Sequence, residues 1–215
     1  MDYQDQNTYF ARAYRTGTDH WSHIPFTRRA HEITEHLPKG SLVLDLGTGR
    51  GRLLFDLAGL GYRAIGLENN PELVARGNNA ILLRGQEKEL RFFEGDALDI
   101  PLANDSFDGL VDIGLLHHIS PEDYTMYVSE TARVLKTNGY FFLVVLSKNT
   151  PAFYSWHPAK DEISDYEYER VRYHFFHDQE LKDLFEKSFE IVDFAHDLPY
   201  GSKDAIYTVM LLKKR

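Results

Sequence analysis

Residues 42–54 read LVLDLGTGRGRLL, and this stretch decides the fold of the chain. A mostly apolar run, Leu42–Leu46, is followed by a turn with three glycines and then by leucines at helical spacing. The pattern predicts a β-strand, a tight turn and the start of a helix, because glycine permits sharp bends and the close approach of a ligand. A helix N-terminus also presents unpaired N–H groups, so we interpret the stretch as a loop that binds a nucleotide-type cofactor.

Strand and helix patterns alternate around this loop. The predicted strands are residues 42–46, 63–68, 91–94, 107–113 and 140–146. The predicted helices that accompany them are residues 25–37, a segment that follows the glycines to about residue 59, and residues 72–83 and 121–136. Such alternation implies right-handed crossovers and a parallel sheet covered on both faces, so the predicted fold class is α/β.

The last part of the chain has a different pattern. It predicts a helix at residues 178–187 and two strands at residues 189–194 and 205–212. A turn separates these strands, so we expect them to form a closing antiparallel hairpin beside the parallel strands.

The composition narrows the class of protein. With 215 residues, 43% of them apolar, the chain suffices for one well-packed domain but is short for two. Acidic residues number 33 against 24 basic ones, so we expect no nucleic-acid partner. The absence of cysteine excludes disulfides and thiolate metal sites and fits a cytoplasmic location. No apolar run of about 18 residues occurs, so we expect no membrane partner.

We divide the predicted single domain into four segments. These are an N-terminal helical or cap segment at 1–40, a cofactor-binding core at 41–147, a cap insertion at 148–176, and a C-terminal helix with strands at 177–215. Aromatic residues crowd the first and third segments, and the insertion follows the fifth strand at the same sheet end as the glycine loop. We therefore predict substrate contacts for Tyr14, Tyr154 and Trp156, although packing of these aromatics on an added helix is an equal alternative.

Residues around the glycines bear on which cofactor binds. A nicotinamide dinucleotide fingerprint requires G-x-G-x-x-G, and Arg52 stands where its last glycine belongs. Asp45, just before the turn, adds negative charge that opposes a pyrophosphate but favours a ligand with an ammonium or sulfonium group. S-adenosylmethionine carries both cations and no phosphate, so these residues favour it over a dinucleotide.

At this point the sequence resembles a known family. The motif DLGTGRG at 45–51, Glu68, the tripeptide GDA at 95–97 and the segment FDGLVDIGLLHH at 107–118 are similar to motifs of class I S-adenosylmethionine-dependent methyltransferases. The resemblance covers about half of the chain, from Leu42 to Leu146. It implies a Rossmann-like, doubly wound, seven-stranded, mostly parallel sheet in a three-layer α/β/α arrangement. It also implies the strand order 3-2-1-4-5-7-6, with strand seven antiparallel.

The resemblance gives each matched position a role in binding the cofactor. Glu68 resembles the carboxylate that accepts hydrogen bonds from the ribose hydroxyls, and Asp96 the group that binds the adenine amino group. The alternatives are a solvated strand-end carboxylate at Glu68 and a turn residue at Asp96. Asn69 supports the ribose or the turn. The complete predicted set is Asp45, Gly47, Thr48, Gly49, Gly51, Glu68, Asn69, Asp96, Ala97, Asp112 and Ile113.

Two histidines follow the fourth strand. Neighbouring side chains point in different directions, and no carboxylate cluster accompanies His117 and His118, so we predict no metal site. His117 is our candidate for a catalytic base, because the ordinary pKa of histidine lies near neutrality. A packing role in the cofactor pocket is the alternative.

We therefore expect an enzyme that transfers a methyl group from S-adenosylmethionine, by in-line displacement, to an oxygen or nitrogen of a small-molecule acceptor, leaving S-adenosylhomocysteine. A nicotinamide-binding oxidoreductase, a catalytically silent cofactor-binding protein and a protein methyltransferase are the alternatives. No N-P-P-Y-like segment follows the fourth strand, so methylation of a nucleobase amine is unsupported. The sequence does not indicate the oligomeric state.

Overall fold

A central sheet of seven strands organises the computed structural model, which describes residues 3–23, 32–151, 164–197 and 205–215. Its strands are β1 (Leu42–Leu46), β2 (Arg63–Glu68), β3 (Leu90–Glu94), β4 (Phe107–Ile113), β5 (Leu135–Leu146), β8 (Phe189–Asp197) and β9 (Tyr207–Lys214). Between β5 and β8, a separate two-stranded hairpin consists of β6 (Asp165–Tyr168) and β7 (Val171–His174).

Helices alternate with these strands. They are α1 (Gln4–Thr16), α2 (Arg52–Gly59), α3 (Pro71–Arg84), α4 (Tyr124–Val134) and α5 (Asp178–Phe185). Short 3₁₀ helices occur at His20–His23, Leu116–His118 and Pro121–Asp123. In the described parts of the chain, none of the helices has the length and apolar character needed to cross a membrane.

The strand order is β3-β2-β1-β4-β5-β9-β8, which confirms the expected seven-stranded topology. Strands β1 to β5 pair in parallel, whereas β9 runs antiparallel to both β5 and β8. Ligands of open α/β sheets bind beyond the carboxyl ends of the strands, where the strand order reverses. Here the order reverses between β1 and β4, so their carboxyl ends define the position of the site.

Both faces of the sheet are buried, as the alternating side chains of β1 illustrate. Val43 packs with Leu54 of α2 and with α3 on one face. Leu44 packs on the opposite face with Tyr127 of α4 and with α5. Successive strand side chains point to opposite faces, so the apolar run of β1 contributes to two cores. The result is the predicted three-layer α/β/α arrangement.

The structure corrects several predicted boundaries. The helix expected at 121–136 ends at Val134, and Leu135 already belongs to β5, where it is buried opposite Phe107. Pairing with a neighbouring strand overrides the helical pattern there. Helix α1 was not predicted, because the sequence there has no clean apolar period. The structure gives the reason: of its residues, the helix buries only Gln6 and Ala13. Most of the helix predicted at 25–37 lies outside the described residues, although residues 32–34 are helical.

Candidate functional site

A cavity of about 690 Å³ lies beyond the carboxyl ends of the strands. One half is bordered by the ends of β1, β2, β3 and β4, at Gly47, Glu68, Asp96 and Ile113. The other half extends past β5 to the hairpin of β6 and β7 and to the start of β9. A smaller cavity of about 110 Å³ lies at the glycine loop and includes Asp45 among its lining residues. The two cavities share Gly47 and Ile113, so they meet at the switch point of the sheet.

The backbone of the glycine turn requires glycine. Gly47, Gly49 and Gly51 have φ values of 65°, 55° and 73°, in the left-handed region that other residues rarely adopt. A Cβ atom on Gly49 would lie 2.5 Å from the Tyr14 hydroxyl oxygen, so the turn also permits the N-terminal segment to approach. Thr48 donates a hydrogen bond of 2.6 Å to Asp45 across the turn. Thr48 and Gly49 both border the smaller cavity.

Gly51 has a different position from the other two glycines. It lines neither of the two cavities, and a Cβ atom there would overlap the ring of Phe92. Gly51 therefore lies against β3, and the absence of a side chain there allows the loop to pack closely on the sheet.

Three buried carboxyl groups lie under the cavities. Burial raises the pKa of Asp45 to about 7; the hydrogen bond from Thr48 lowers it, and the negative charges of Asp112 and Glu68 raise it further. Burial also raises the pKa of Glu68, although backbone N–H groups partly offset the effect. These carboxyl groups would be stabilised in their charged form by a cationic ligand.

Glu68 connects the ends of β1 and β2. Its two carboxylate oxygens accept hydrogen bonds from the backbone N–H groups of Gly49 at 2.9 Å and Asn70 at 3.0 Å. The side chain also borders the larger cavity, where we predicted a contact with the ribose. Asn69 lines the same cavity and donates a 3.0 Å hydrogen bond to Asn7, which connects the end of β2 to α1.

Asp96 and Ala97 border the same half of the cavity. The Asp96 carboxylate accepts a 2.9 Å hydrogen bond from the backbone N–H of Leu98, which is the turn role considered as its alternative. Oδ1 of the carboxylate accepts that bond, and Oδ2 can accept a hydrogen bond from a ligand amino group. Both roles are therefore compatible at Asp96.

Asp112 requires a correction. Its side chain is completely buried and does not line the cavity; the carboxylate accepts hydrogen bonds from the N–H groups of Leu115 at 2.7 Å and Leu116 at 3.0 Å and from the hydroxyl of Tyr127. Burial raises the pKa of Asp112 to about 6. Asp112 therefore holds the turn after β4, whereas its neighbour Ile113 borders both cavities as expected.

The turn after β4 presents two neutral histidines to the cavity. His117 is buried, and its Nδ1 atom has no hydrogen-bond partner in the part of the chain that the structure describes; burial, then the neighbouring His118 and His174, keep its pKa well below 6.5. Burial lowers the pKa of His118 to about 4. The Nδ1 atom of His118 lies 2.7 Å from the carbonyl oxygen of Arg172, so it carries the proton and donates it.

The N-terminal segment covers the glycine loop. The guanidinium of Arg50 forms two hydrogen bonds of 2.7 Å with the buried carboxylate of Asp19. Burial favours a higher pKa for Asp19, but the hydrogen bonds from Arg50 and Ser22 lower it to about 2. Tyr14 lines both cavities, and its hydroxyl accepts a 2.9 Å hydrogen bond from Trp21. Helix α1 and the residues that follow it therefore hold the glycine loop in place through Asp19 and Arg50.

Helix α1 and the β6–β7 hairpin also contact each other beside the larger cavity. Gln6 donates a 3.1 Å hydrogen bond to the carbonyl of His118 and accepts a 3.2 Å hydrogen bond from the N–H of Arg172. Two exposed ion pairs, Arg12–Glu169 at 2.8 Å and Arg170–Asp5 at 2.9 Å, join the same elements. Of the three predicted substrate residues, Tyr14 lines the cavity, and Tyr154 and Trp156 lie outside the described residues.

Several cavity residues were not among the site residues predicted from the sequence. They are Tyr3, Gln6, Phe10, Trp21, His118, Tyr166, Tyr173, Phe175 and Tyr207. The aromatic content of residues 1–21 and 148–176 was a signal for most of them. Tyr207 belongs to the last strand, and no local pattern indicates that β9 begins at the cavity. Within the described ranges, no group of three His, Cys, Asp or Glu residues is arranged to hold a metal ion.

Comparisons with known proteins place these features in context. A model of the methyltransferase domain family matches residues 43–139. The uncharacterized methyltransferase YcgJ of Bacillus subtilis is 35% identical over 102 residues, which are 47% of this chain and 39% of that protein. The ubiquinone biosynthesis O-methyltransferase of Xanthomonas axonopodis pv. citri is 32% identical over 116 residues, which are 54% of this chain and 47% of that protein. The chain thus spans less than half the length of both curated relatives.

Among solved structures, the 1,6-didemethyltoxoflavin-N1-methyltransferase of Burkholderia thailandensis matches with a TM-score of 0.80 and 25% identity, covering 98% of this chain and 88% of that one. That protein was solved with 1,6-didemethyltoxoflavin and S-adenosylhomocysteine bound. A S-adenosylmethionine-dependent methyltransferase of Methanosarcina mazei has the same fold, with a TM-score of 0.71 and 24% identity over 85% of this chain and 96% of that one.

Proposed function

Because the chain belongs to the class I S-adenosylmethionine-dependent methyltransferases, we propose that it transfers a methyl group to an oxygen or nitrogen of a small-molecule acceptor. S-adenosylmethionine would supply a methyl group on a sulfonium sulfur: the acceptor atom would bond to the methyl carbon in line with the carbon–sulfur bond, which would break to release S-adenosylhomocysteine. The observation that carries the proposal is the cavity of about 690 Å³, since one continuous space adjoins Glu68, Asp96 and the aromatic far half. Methyl transfer requires the two reactants to lie together and is favoured where water is excluded.

The residues at the switch point suit the charge of this cofactor. Asp45 and Glu68 are buried carboxyl groups whose pKa values are raised by burial, and none of the causes of the Asp45 shift is a nearby cation. An ammonium or sulfonium group would stabilise their ionised forms, whereas a pyrophosphate would be repelled. We assign Asp45 and the backbone of Gly47 and Gly49 to the amino-acid end of the cofactor.

The ribose and adenine ends belong to the next two strands. We assign the ribose hydroxyls to Glu68 and Asn69, and the adenine to Asp96 and Ala97, because these residues border the larger cavity at the ends of β2 and β3. The carboxylates accept hydrogen bonds from hydroxyl and amino groups. We do not assign a direct contact to Gly51 or Asp112, since neither lines either of the two cavities.

His117 is positioned to hold the proton that the acceptor releases. The residue lines the cavity, its buried Nδ1 atom has no hydrogen-bond partner among the described residues, and its pKa lies well below 6.5. It is therefore neutral at physiological pH and a weak base. A weak base suffices when the proton leaves after methylation of an oxygen or an aromatic nitrogen, because the cationic methylated group is then a strong acid. We propose that the imidazole of His117 accepts this proton.

Two parts of the chain, the segment before β1 and the insertion after β5, would exclude water from this reaction. Tyr14 and Gln6 of α1, with Tyr173 of β7, border the cavity on the side away from the sheet. We propose that these elements act as a cap over the acceptor.

Release of S-adenosylhomocysteine tests the proposal. The protein is incubated with S-adenosylmethionine and a chemically diverse set of O–H and N–H compounds, and the product is quantified by mass spectrometry. We expect acceptor-dependent formation of S-adenosylhomocysteine with an equal amount of methylated compound. Binding of S-adenosylhomocysteine without any transfer would favour a catalytically silent binding protein, and methylation of added proteins but of no small molecule would favour a protein methyltransferase.

A further inference from the structure

The far half of the larger cavity is lined mainly by aromatic rings. We call it the aromatic chamber and define it by Phe10, His118, Tyr166, Tyr173, Phe175 and Tyr207, all of which line the cavity. The rings form a connected set: the centroid of His118 lies 5.1 Å from that of Phe10 and 4.8 Å from that of Tyr173, which lies 6.3 Å from that of Tyr166. Such faces and edges favour a planar aromatic ligand.

The aromatic chamber contains no charged side chain in the part of the chain that the structure describes. The carboxylates that line the cavity, Glu68 and Asp96, lie at the ends of β2 and β3. The order β2-β1-β4-β5-β9 separates Glu68 from Tyr207 by four strand spacings, or about 19 Å at roughly 4.8 Å per spacing. Among described lining residues, the cavity has neither lysine nor arginine. A charged acceptor would therefore meet no counter-charge among the described residues that line the chamber.

The same chamber disfavours charge of either sign on its own residues. Burial lowers the pKa of His118 to about 4, which disfavours a cation. Burial also raises the pKa of the Tyr173 and Tyr207 hydroxyls, which disfavours an anion. Because burial penalises a charge without a partner, an ammonium or carboxylate on the acceptor would bear the same penalty.

Hydrogen-bonding groups are nevertheless present in the chamber. Tyr173 and Tyr207 line the cavity, and their hydroxyls have no hydrogen-bond partner within the described residues, so each can donate to a carbonyl oxygen or a ring nitrogen. The imidazole of His117 lines the same cavity and has a buried Nδ1 atom without a partner among the described residues, which suits an N–H or O–H group.

We propose that the methyl acceptor is an uncharged, planar aromatic small molecule that carries the N–H or O–H to be methylated and a hydrogen-bond acceptor for Tyr173 and Tyr207. This rests on the proposed function, because it identifies the acceptor of that reaction. Carboxylated, phosphorylated and aminoalkyl compounds, and the lysine and arginine side chains of proteins, are disfavoured, because none of the six residues that define the chamber neutralises them.

Binding to the protein loaded with S-adenosylhomocysteine tests this proposal. The probes are three planar scaffolds, quinolin-4-one, 7-hydroxycoumarin and pteridine-2,4-dione, each as the parent compound, a carboxylate and an aminomethyl derivative. We expect at least one parent compound to bind tenfold or more tightly than both of its charged derivatives. The inference is overturned if no parent compound binds, or if any charged derivative binds as well as its parent.

Titration with S-adenosylhomocysteine comes first and separates the two failures. Absence of cofactor binding would contradict the proposed function itself, whereas cofactor binding with the wrong charge preference would contradict only the acceptor class.

Single hydroxyl deletions test the two tyrosines. In Tyr173→Phe and Tyr207→Phe we expect the affinity for the best parent compound to fall about three- to tenfold, the loss typical of one neutral hydrogen bond. The matched control is Tyr140→Phe, at the opposite end of β5, for which no change is expected. Unchanged affinity in both test variants, or weakened binding of S-adenosylhomocysteine, would overturn the assignment of these hydroxyls to the acceptor.

Discussion

At the scale of single residues, the site is defined by carboxyl groups without counter-charges. Asp45 is buried near Glu68 and Asp112, and the negative charges of these two raise its pKa, in addition to the effect of burial. The position of Asp45 in the cofactor site is predictable from the sequence, because the residue stands just before the glycine turn. The orientation of Asp112 was not predictable, because it depends on the hydroxyl of Tyr127 in a different element.

Asp45 is expected to make cofactor affinity depend on pH. Its pKa is about 7, so its ionised fraction rises between pH 5.5 and 7.5, and the affinity for S-adenosylmethionine should rise with it. In Asp45→Asn we expect about 5- to 100-fold weaker binding at pH 7.5 and a reduced pH dependence. Calorimetric titration at the two pH values measures both. Asp105→Asn, at an exposed carboxylate, is the control, and equal pH dependence in wild type and Asp45→Asn would contradict the assignment.

The same group is expected to destabilise the unliganded protein above its pKa. The folded-state pKa of Asp45, about 7, lies above the unfolded value of about 3.9, so the folded protein binds more protons between these values. This contribution to stability is therefore present below about pH 4 and is lost as the pH rises through 7. Urea unfolding should find Asp45→Asn at least as stable as wild type at pH 7.5. A less stable variant at that pH would contradict the prediction.

His117 is expected to affect turnover without adding a limb to the pH profile near 6.5. Since its pKa is held well below 6.5, His117 stays neutral throughout pH 6–8. With an identified acceptor, His117→Ala should lower kcat by about 10²-fold or more while the affinity for S-adenosylhomocysteine changes little. A wild-type limb at pH 6.5 that disappears in the variant, or an unchanged kcat, would count against this role.

At the scale of elements, the cap depends on a few side chains that fix irregular segments to the sheet. Helix α1 lacks a clean apolar period, because its aromatic side chains border a cavity and do not pack against a core. The β6–β7 hairpin was not predicted for a similar reason, because its paired residues Tyr166 and Tyr173 border the cavity. Strands β1 and β4 were predictable, because their apolar runs are local and both of their faces are buried.

Gln6 is expected to be the main connection between α1 and the rest of the cap. Its amide satisfies the His118 carbonyl and the Arg172 N–H, and Gln6→Ala leaves both without this partner. Loss of such buried hydrogen bonds costs about 1–3 kcal/mol, whereas the exposed pairs Arg12–Glu169 and Arg170–Asp5 contribute about 0–1 kcal/mol each. Amide hydrogen exchange should therefore accelerate in α1 and not in α5. Gln179→Ala, at an exposed position of α5, serves as the control.

Asn78 is expected to stabilise the edge strand β3. Its side chain donates to the carbonyl of Phe92 at 3.1 Å and accepts from the N–H of Phe92 at 3.0 Å, so it satisfies both backbone groups of an edge residue. We expect Asn78→Ala to lower the free energy of unfolding by about 1–3 kcal/mol. Urea unfolding measures the change against Asn79→Ala, an exposed neighbour that should lie within about 0.5 kcal/mol of wild type. Equal losses in both variants would contradict the prediction.

At the scale of the whole molecule, the order of the strands explains how one cavity adjoins both reactants. The carboxyl ends of β1 to β4 present the predicted cofactor residues, and the antiparallel β9 starts at the same edge of the sheet. Most of the residues predicted from the glycine motif and the following strand ends line one of the two cavities, and their role in binding a cofactor stays a prediction. The sequence did not suffice for the other half of the site, because Tyr207 reaches the cavity only through the pairing of β9 with β5.

The most direct test of the account is equilibrium unfolding of the protein with and without S-adenosylhomocysteine. A ligand at about 100 times its dissociation constant should raise the free energy of unfolding by about 2.7 kcal/mol. We predict such a rise with S-adenosylhomocysteine and none with NADH at the same concentration. Stabilisation by NADH, or no change with S-adenosylhomocysteine at any soluble concentration, would contradict the claim that this site holds a methyl donor.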